Sequence, residues 1–230
     1  RSAQLVVATG ADLEIGWLPV VLRDSGNAAI QPGQPGYFEA ARWVTPLEIP
    51  ASLDRAQGDV HPEGNPHIQL DPRNLLAVAA SLAQRMGELD AANAAVYAER
   101  HKAFAERMRA AIARWEKEAA GLRGMRVIPQ HRSFSYLFHW LGLVEAGTLE
   151  PKPGIEPGSA HLAQLLAQAK AQQAKLILRT PFDSPRPGEW LAERAGLRLV
   201  TLPFTVGGSE RAQDLFGMFD DTIARLQGAP

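Results

Sequence analysis

Residues 90–121 read DAANAAVYAERHKAFAERMRAAIARWEKEAAG, and the rest of the chain divides around this stretch. Its apolar side chains recur at spacings of three and four, which places them on one face of a helix with charged side chains opposite. Alanine is frequent and proline is absent, so intrinsic helix propensity agrees with the pattern. Asp90 is expected to cap this helix, and Gly121 or Gly124 to end it. The predicted apolar face consists of Tyr97, His101, Phe104, Met108, Ile112, Trp115, Ala119 and Leu122.

The length of this helix bears on the architecture of the chain. At 1.5 Å per residue it would be ~45 Å long, which exceeds the width of a small lobe. We therefore predict that it crosses two lobes. This stretch alone is equally compatible with one long helix within an ordinary helical domain. The flanking sequence decides between that interpretation and a helix that links two lobes.

The flanking sequence predicts an α/β fold. Before the long helix come a strand at 5–8, a helix at 13–23, a long polar connection at 51–71 and a helix at 72–86 that opens with proline. After it, strands alternate with helices, which predicts a parallel sheet covered on both faces. These strands are 125–128, 143–149, 175–178 and 198–202, and the helices are 134–141, 159–173, 187–195 and 209–226. We predict two lobes with parallel sheets flanked by helices: an N-terminal lobe at 1–89, the linking interlobe helix at 90–121 and a C-terminal lobe at 122–230.

Composition narrows the class of protein. The chain has 230 residues, 46% of them hydrophobic, and a net charge of −1, so a sizeable core is expected and no charge field indicates a nucleic-acid partner. It has no cysteine, which excludes disulfides and thiolate metal ligands. No apolar run reaches the roughly 18 residues that a membrane span needs. The chain begins with Arg1 and enters a strand directly, so we expect a processed or truncated amino terminus whose export signal lies outside this sequence.

Two histidines stand where ligands are usually bound. His67 lies in a long loop directly before a helix, and His131 directly follows a predicted strand. Ligands of parallel α/β sheets sit beyond the carboxyl ends of strands. One histidine precedes the long helix and the other follows it, so their imidazoles are expected to converge in a cleft if the two halves face each other. Imidazole nitrogen, without thiolates, suits zinc and other borderline divalent metals.

The same segments resemble a known family. NPHIQLDP at 65–72 resembles the PHxxLDP signature of the substrate-binding proteins of metal-ion ABC transporters, in their zinc and manganese cluster. HRSFSY at 131–136 resembles the second signature of that family, a histidine followed by an aromatic-rich helix. LVVATGADLEIGW at 5–17 resembles its first strand and helix, and the long helix has the place of its rigid interlobe helix. The resemblance covers nearly the whole chain.

This resemblance implies a metal site of three histidines and one acidic residue. The second and third histidines carry over to His67 and His131, whereas the first would lie upstream of Arg1. Thr205 stands where the acid is expected, so water or a carboxylate from elsewhere would fill that position. His61, six residues before His67, is a possible substitute ligand. Asp71 is expected to cap the helix at 72 or to orient His67 rather than bind metal.

The function implied is extracytoplasmic, periplasmic capture of Zn²⁺ by a monomer that delivers it to an ABC permease in the membrane. Mn²⁺ is the alternative cargo. A metal-dependent hydrolase that uses the same histidines, with Glu63 as general base, is a second alternative, although the sequence has no HExxH, GxSxG or GxxxxGK[ST] motif. A metal-free adhesin or structural lobe pair is a third. We expect a binding protein rather than an enzyme, and no nucleic-acid partner.

Overall fold

The computed structural model describes residues 1–51 and 61–228. These residues divide into two compact units, one of 1–51 with 61–112 and one of 113–228. The lobe boundaries expected from the sequence stay predictions. In the described part of the chain, no helix is both long and apolar enough to cross a membrane.

The first unit contains a short parallel sheet and two helices. Strand β1 pairs in parallel with β2, with Val6 opposite Tyr37 and Ala8 opposite Glu39. A small core of Ala8, Leu18, Leu22 and Ile30 packs beside this sheet. The elements are β1 (Val6–Ala8), α1 (Leu18–Ser25), β2 (Tyr37–Glu39) and α2 (Pro72–Leu89).

Helix α1 begins at Leu18, not at residue 13 as the sequence predicted. Residues 11–17 form successive turns, and Ala11 and Asp12 adopt positive φ angles of 49° and 60°. Farther on, the N–H groups of Ile15 and Trp17 donate to carbonyls three residues earlier, the spacing of tight turns rather than of an α-helix. The carboxylate of Glu14 stabilises this turn by accepting the backbone N–H groups of Thr9, at 2.8 Å, and Gly10, at 3.1 Å. A local hydrogen-bonding alternative therefore replaces the first turns of the helix.

Helix α2 confirms the predicted start. Pro72 occupies its first turn, and the Asp71 side chain accepts the Arg73 backbone N–H at 2.9 Å. Asp71 is thus an N-cap, as expected, and Arg73 also pairs with it through its guanidinium at 2.7 Å.

The long helix α3 (Ala94–Glu118) is flanked by 3₁₀ turns at Ala91–Asn93 and Ala119–Leu122. The helical stretch therefore covers nearly all of the predicted range. The boundary between the two units falls within α3. Every residue of its predicted apolar face is buried or half-buried, which confirms the spacing argument.

The second unit is built on a parallel sheet of strand order β4-β3-β5-β6, as the strand–helix alternation predicted. Its core includes the fully or nearly fully buried Ile128, Leu165, Ile177 and Leu191. The elements are β3 (Arg126–Pro129), α4 (Ser135–Leu141), β4 (Val144–Glu145), α5 (Ser159–Ala171), β5 (Leu176–Arg179), α6 (Arg186–Ala195), β6 (Arg198–Thr201) and α7 (Leu215–Gln227).

Three predicted boundaries in this unit are wrong. Strand β4 is two residues long rather than seven, because the chain after it leaves the regular ladder. Helix α5 begins at Ser159, as predicted, but ends at Ala171 rather than at residue 173. Helix α7 begins at Leu215 rather than 209, because Asp214 caps it by accepting the Gly217 N–H at 2.7 Å.

Candidate metal-binding residues

His67 lies on a tightly held turn at the start of α2. Its backbone N–H donates to Asn65 Oδ1 at 2.9 Å, and the Asn65 amide donates to Glu48 Oε2 at 2.8 Å. The residue is 9% exposed and precedes the 3₁₀ turn Ile68–Leu70 that leads to the Asp71 cap. The backbone of His67 is therefore fixed by hydrogen bonds on its amino-terminal side and by a capped helix on the other.

His131 lies at the carboxyl end of β3 and contacts a carboxylate. Its Nδ1 is 2.7 Å from Glu150 Oε2, and the same oxygen accepts the Gly154 backbone N–H at 2.9 Å. The side chains of His131 and Glu150 are 26% and 19% exposed. A metal-ligating histidine commonly donates its second ring N–H to a carboxylate, so this pair has the arrangement of a ligand with its supporting residue.

Glu150 was not among the site residues predicted from the sequence. The signal was present, because residues 143–149 were predicted as the next strand and an acidic residue directly follows it. Strands β3 and β4 are parallel neighbours, so the residues after their carboxyl ends come together at one edge of the sheet. Glu150, like His131, therefore directly follows a strand predicted from the sequence, and that position could have identified it.

His61 is half-buried, and its carbonyl accepts the Gly64 N–H at 3.1 Å to close a turn. Both His61 and His67 belong to the first unit, and His131 belongs to the second. Within residues 1–51 and 61–228, no three histidine, aspartate or glutamate side chains form a group that could hold a metal ion. The assignment of His67, His131 and His61 as metal ligands therefore stays a prediction.

Thr205 lies in the loop between β6 and α7, and its side chain is exposed. Its hydroxyl donates to the Val206 carbonyl at 3.3 Å, and its carbonyl accepts the Gly208 N–H at 3.0 Å. Farther along this loop, the Ser209 hydroxyl donates to the buried Asp221 carboxylate at 2.6 Å. The loop is thus attached to α7, while its threonine faces solvent.

Two other histidines lie on helices of the second unit. His139 is exposed on α4, and His161 on α5 is half-buried with Nε2 3.0 Å from the Thr148 carbonyl. His101 is half-buried on the apolar face of α3, as expected for a residue of that stripe.

Solved structures define the class of fold. A ZnuA crystal structure superposes with a TM-score of 0.74 at 21% identity, over 97% of this chain and 79% of that one. A Cd-bound periplasmic metal-binding protein from Candidatus Liberibacter asiaticus has a TM-score of 0.75 at 14% identity, over 97% and 79%. The Ni²⁺ complex of the substrate-binding protein FpvC from P. aeruginosa has a TM-score of 0.69 at 24% identity, over 99% of this chain and 80% of that one. The chain therefore has the fold of periplasmic metal-binding proteins, as predicted.

Family membership is defined by sequence. Residues 1–229 match the family described as ZnuA, zinc-uptake complex component A, periplasmic, and the chain belongs to this family. The family consists of uptake components rather than enzymes, as the sequence predicted, which removes the hydrolase alternative.

Two curated relatives match parts of the chain. The high-affinity zinc uptake system protein ZnuA of Brucella abortus is 29% identical over 120 residues, 52% of this chain and 36% of that protein. The protein of the same name from Bacillus subtilis is 25% identical over 150 residues, 65% of this chain and 47% of that protein. The chain thus matches less than half the length of either relative.

Proposed function

We propose that this protein captures a zinc ion outside the cytoplasm and delivers it to the membrane permease of an ABC importer. The observation that carries this proposal is the match to a periplasmic zinc-uptake family over residues 1–229. Components of this kind work with ABC transporter membrane subunits, which supports a permease as the protein partner. We propose that it acts as a monomer.

We further propose that His67 and His131 are ligands of the ion, with His61 as an additional candidate. Each of the first two is supported by its setting: His67 by a backbone held at a helix start, His131 by a carboxylate on its Nδ1. With Thr205 in place of an acid, the candidate ligands are imidazoles, which favour zinc over the harder Mn²⁺. The relatives in Brucella and Bacillus are also named for zinc uptake.

Manganese remains the second candidate cargo. The observation that favours it is a Mn-bound periplasmic metal-binding protein from Candidatus Liberibacter asiaticus that shares this fold, with a TM-score of 0.74. Competition calorimetry distinguishes zinc from manganese as the cargo, with Mn²⁺ titrated into the zinc-loaded protein and Zn²⁺ into the manganese-loaded protein. Displacement of zinc by equimolar Mn²⁺ would reverse the assignment of the cargo.

The ligand assignment is tested by zinc titration of His67→Ala and His131→Ala. Each variant should lose more than about 100-fold in affinity, beyond the 10–100-fold typical of residues that only support ligands. His139→Ala is the matched control, because this histidine is exposed on α4 and should bind zinc like the wild type. Unchanged affinity in both test variants would exclude these ligands, and His61→Ala measures whether the third histidine contributes.

Delivery is tested in cells that depend on zinc import. A strain that lacks its own zinc-binding component but retains the permease should regain growth in chelated medium when it expresses the wild-type protein. It should not regain growth with the His67→Ala and His131→Ala double variant. Rescue by the double variant would contradict a role for these histidines in transport.

A further inference from the structure

Backbone hydrogen bonds hold Glu150 beside His131. The Leu149 N–H donates to the Pro129 carbonyl at 2.9 Å, and the Glu150 N–H donates to the Gln130 carbonyl at 3.0 Å. These two bonds attach the chain beyond the short strand β4 to the end of β3, without the regular spacing of a ladder. The Cα atoms of His131 and Glu150 are thus brought together by the edge of the sheet, independently of the contact between their side chains.

The loop after Glu150 is folded around the same carboxylate. Oε2 lies 2.7 Å from His131 Nδ1 and also accepts the Gly154 N–H, so one oxygen connects the end of β3 to the loop. The Thr148 hydroxyl donates to the Glu150 carbonyl at 2.6 Å, and His161 on α5 contacts the Thr148 carbonyl. The backbone at Glu150 is therefore fixed by the Thr148 hydroxyl, and the position of its carboxylate is set by the contacts with His131 and Gly154.

The chemistry of the pair determines which ring nitrogen carries the lone pair. An ionised carboxylate only accepts hydrogen bonds, so Nδ1 of the neutral imidazole must carry the proton. Nε2 then holds the lone pair that a metal ion requires. A histidine without this partner would distribute its proton between both nitrogens and its ring between several orientations.

We propose that Glu150 is a positioning residue that holds His131 as the Nδ1–H tautomer and presents Nε2 to the metal ion. This inference rests on the proposed function, because it takes His131 to be a ligand. Glu150 itself contacts the ring and not the ion. Because Glu150 already fixes the tautomer and the orientation of the His131 ring, metal binding does not have to supply that free energy.

The first experiment compares the zinc affinities of Glu150→Ala and Glu150→Gln. The alanine variant should lose about 10–100-fold, as is typical when the partner of a ligating histidine is removed. The glutamine variant keeps an acceptor oxygen for Nδ1–H and should remain within about threefold of the wild type. Glu156→Ala is the matched control, because it removes the same charge from an exposed position in the same loop and should leave affinity unchanged.

The second experiment reads the tautomer in the metal-free protein. Nitrogen-15 NMR of the His131 ring should show mainly the Nδ1–H form in the wild type and in Glu150→Gln, and a mixture in Glu150→Ala. A purely structural role for Glu150 would lower stability without changing this ratio. Thermal unfolding of each variant verifies that it is folded.

The outcomes separate the two proposals. Wild-type protein that binds no zinc would overturn the proposed function. Zinc binding that Glu150→Ala leaves unchanged, or a tautomer ratio that does not respond, would overturn the positioning role alone. An equal loss in the glutamine and alanine variants would show that the charge of Glu150, and not its acceptor oxygen, determines the affinity, and would also overturn it.

Discussion

Single carboxylates set several local structures in this chain. Glu14 holds a turn after β1, Asp71 caps α2, and Glu150 holds His131. In each case the carboxylate accepts N–H groups that a loop or a helix end leaves without a partner in the regular structure. The sequence indicates such a role only where a spacing rule exists, as for the Asp-Pro pair at 71–72.

Removal of the Asp71 cap should destabilise the first unit. Asp71→Ala leaves the Arg73 N–H without its acceptor, and we expect the free energy of unfolding to fall by about 1 kcal/mol, within a range of about 0.5–2 kcal/mol. Asp71→Asn keeps a capping oxygen and loses only the ion pair to the half-exposed Arg73, so its loss should be smaller. Urea unfolding measures both, and equal losses would show that the cap contributes nothing.

Asp90 provides a prediction about pH. Its carboxylate accepts hydrogen bonds from the Asn93 amide and the Tyr97 hydroxyl, both at 2.8 Å. Both bonds lower the pKa of Asp90, and the bond from Asn93 has the larger effect. Because the folded-state pKa lies below the unfolded value, the contribution to stability is present at neutral pH. It is lost as the pH falls through the lowered pKa.

Tyr97→Phe removes one of these two donors. The pKa of Asp90 should therefore rise towards its ordinary value, which NMR titration of its carboxyl carbon measures. Tyr37→Phe is the control, because it removes the hydroxyl of a tyrosine on β2. The raised pKa of Tyr37 comes from burial and from Glu39, not from Asp90, so the pKa of Asp90 should stay as in the wild type. A Tyr97→Phe variant with an unchanged Asp90 pKa would contradict this assignment.

At the scale of elements, α3 and α7 are joined by an aromatic cluster in the second unit. Trp115 is fully buried, its ring centroid is 5.0 Å from that of Phe219, and its Nε1–H donates to Asp220 Oδ1 at 2.5 Å. Arg114 also donates to Asp220 at 2.7 Å, and this hydrogen bond raises the pKa of the guanidinium. The last turns of α3 are therefore fixed to α7 by packing and by polar contacts.

Trp115→Ala should cost about 3–5 kcal/mol of unfolding free energy, because it leaves a large cavity in a closed core. Trp115→Phe retains an aromatic ring and loses the indole N–H, so its cost should be clearly smaller. Trp17→Ala, at an exposed tryptophan, should change stability by no more than about 0.5 kcal/mol. Guanidinium unfolding compares the three, and similar losses in Trp115→Ala and Trp17→Ala would contradict the importance of the cluster.

At the scale of the whole molecule, bound zinc should stabilise the protein by mass action. Free zinc at 100 times its dissociation constant should add about 2.7 kcal/mol and raise Tm by about 5–10 °C. The gain should shrink in acid, because ligating imidazoles must be neutral. Calorimetry in the presence of zinc measures this gain, with Mg²⁺ as the control ion and with a chelator added to reverse the effect. An equal gain from Mg²⁺ would exclude a histidine site.

Much of the fold follows from local patterns in the sequence. The spacing of apolar residues predicted the buried face of α3, the Asp-Pro pair predicted the start of α2, and alternating strands and helices predicted the parallel sheet of the second unit. These features depend on residues within a few positions of one another, so a sequence contains their cause. The starts of α1 and α7 were wrong because Glu14 and Asp214 hydrogen-bond nearby backbone groups and delay the helix.

In the candidate site, too, some features follow from local sequence and others only from the tertiary structure. The sequence alone determined that His67 precedes a capped helix and that His131 ends a strand, since both facts are local. Only the tertiary structure placed Glu150 on Nδ1 of His131, 19 residues away. That contact exists because the chain beyond β4 is hydrogen-bonded to the end of β3, where the Glu150 N–H donates to the Gln130 carbonyl, and such pairing across a connection of this length is a property of the folded sheet.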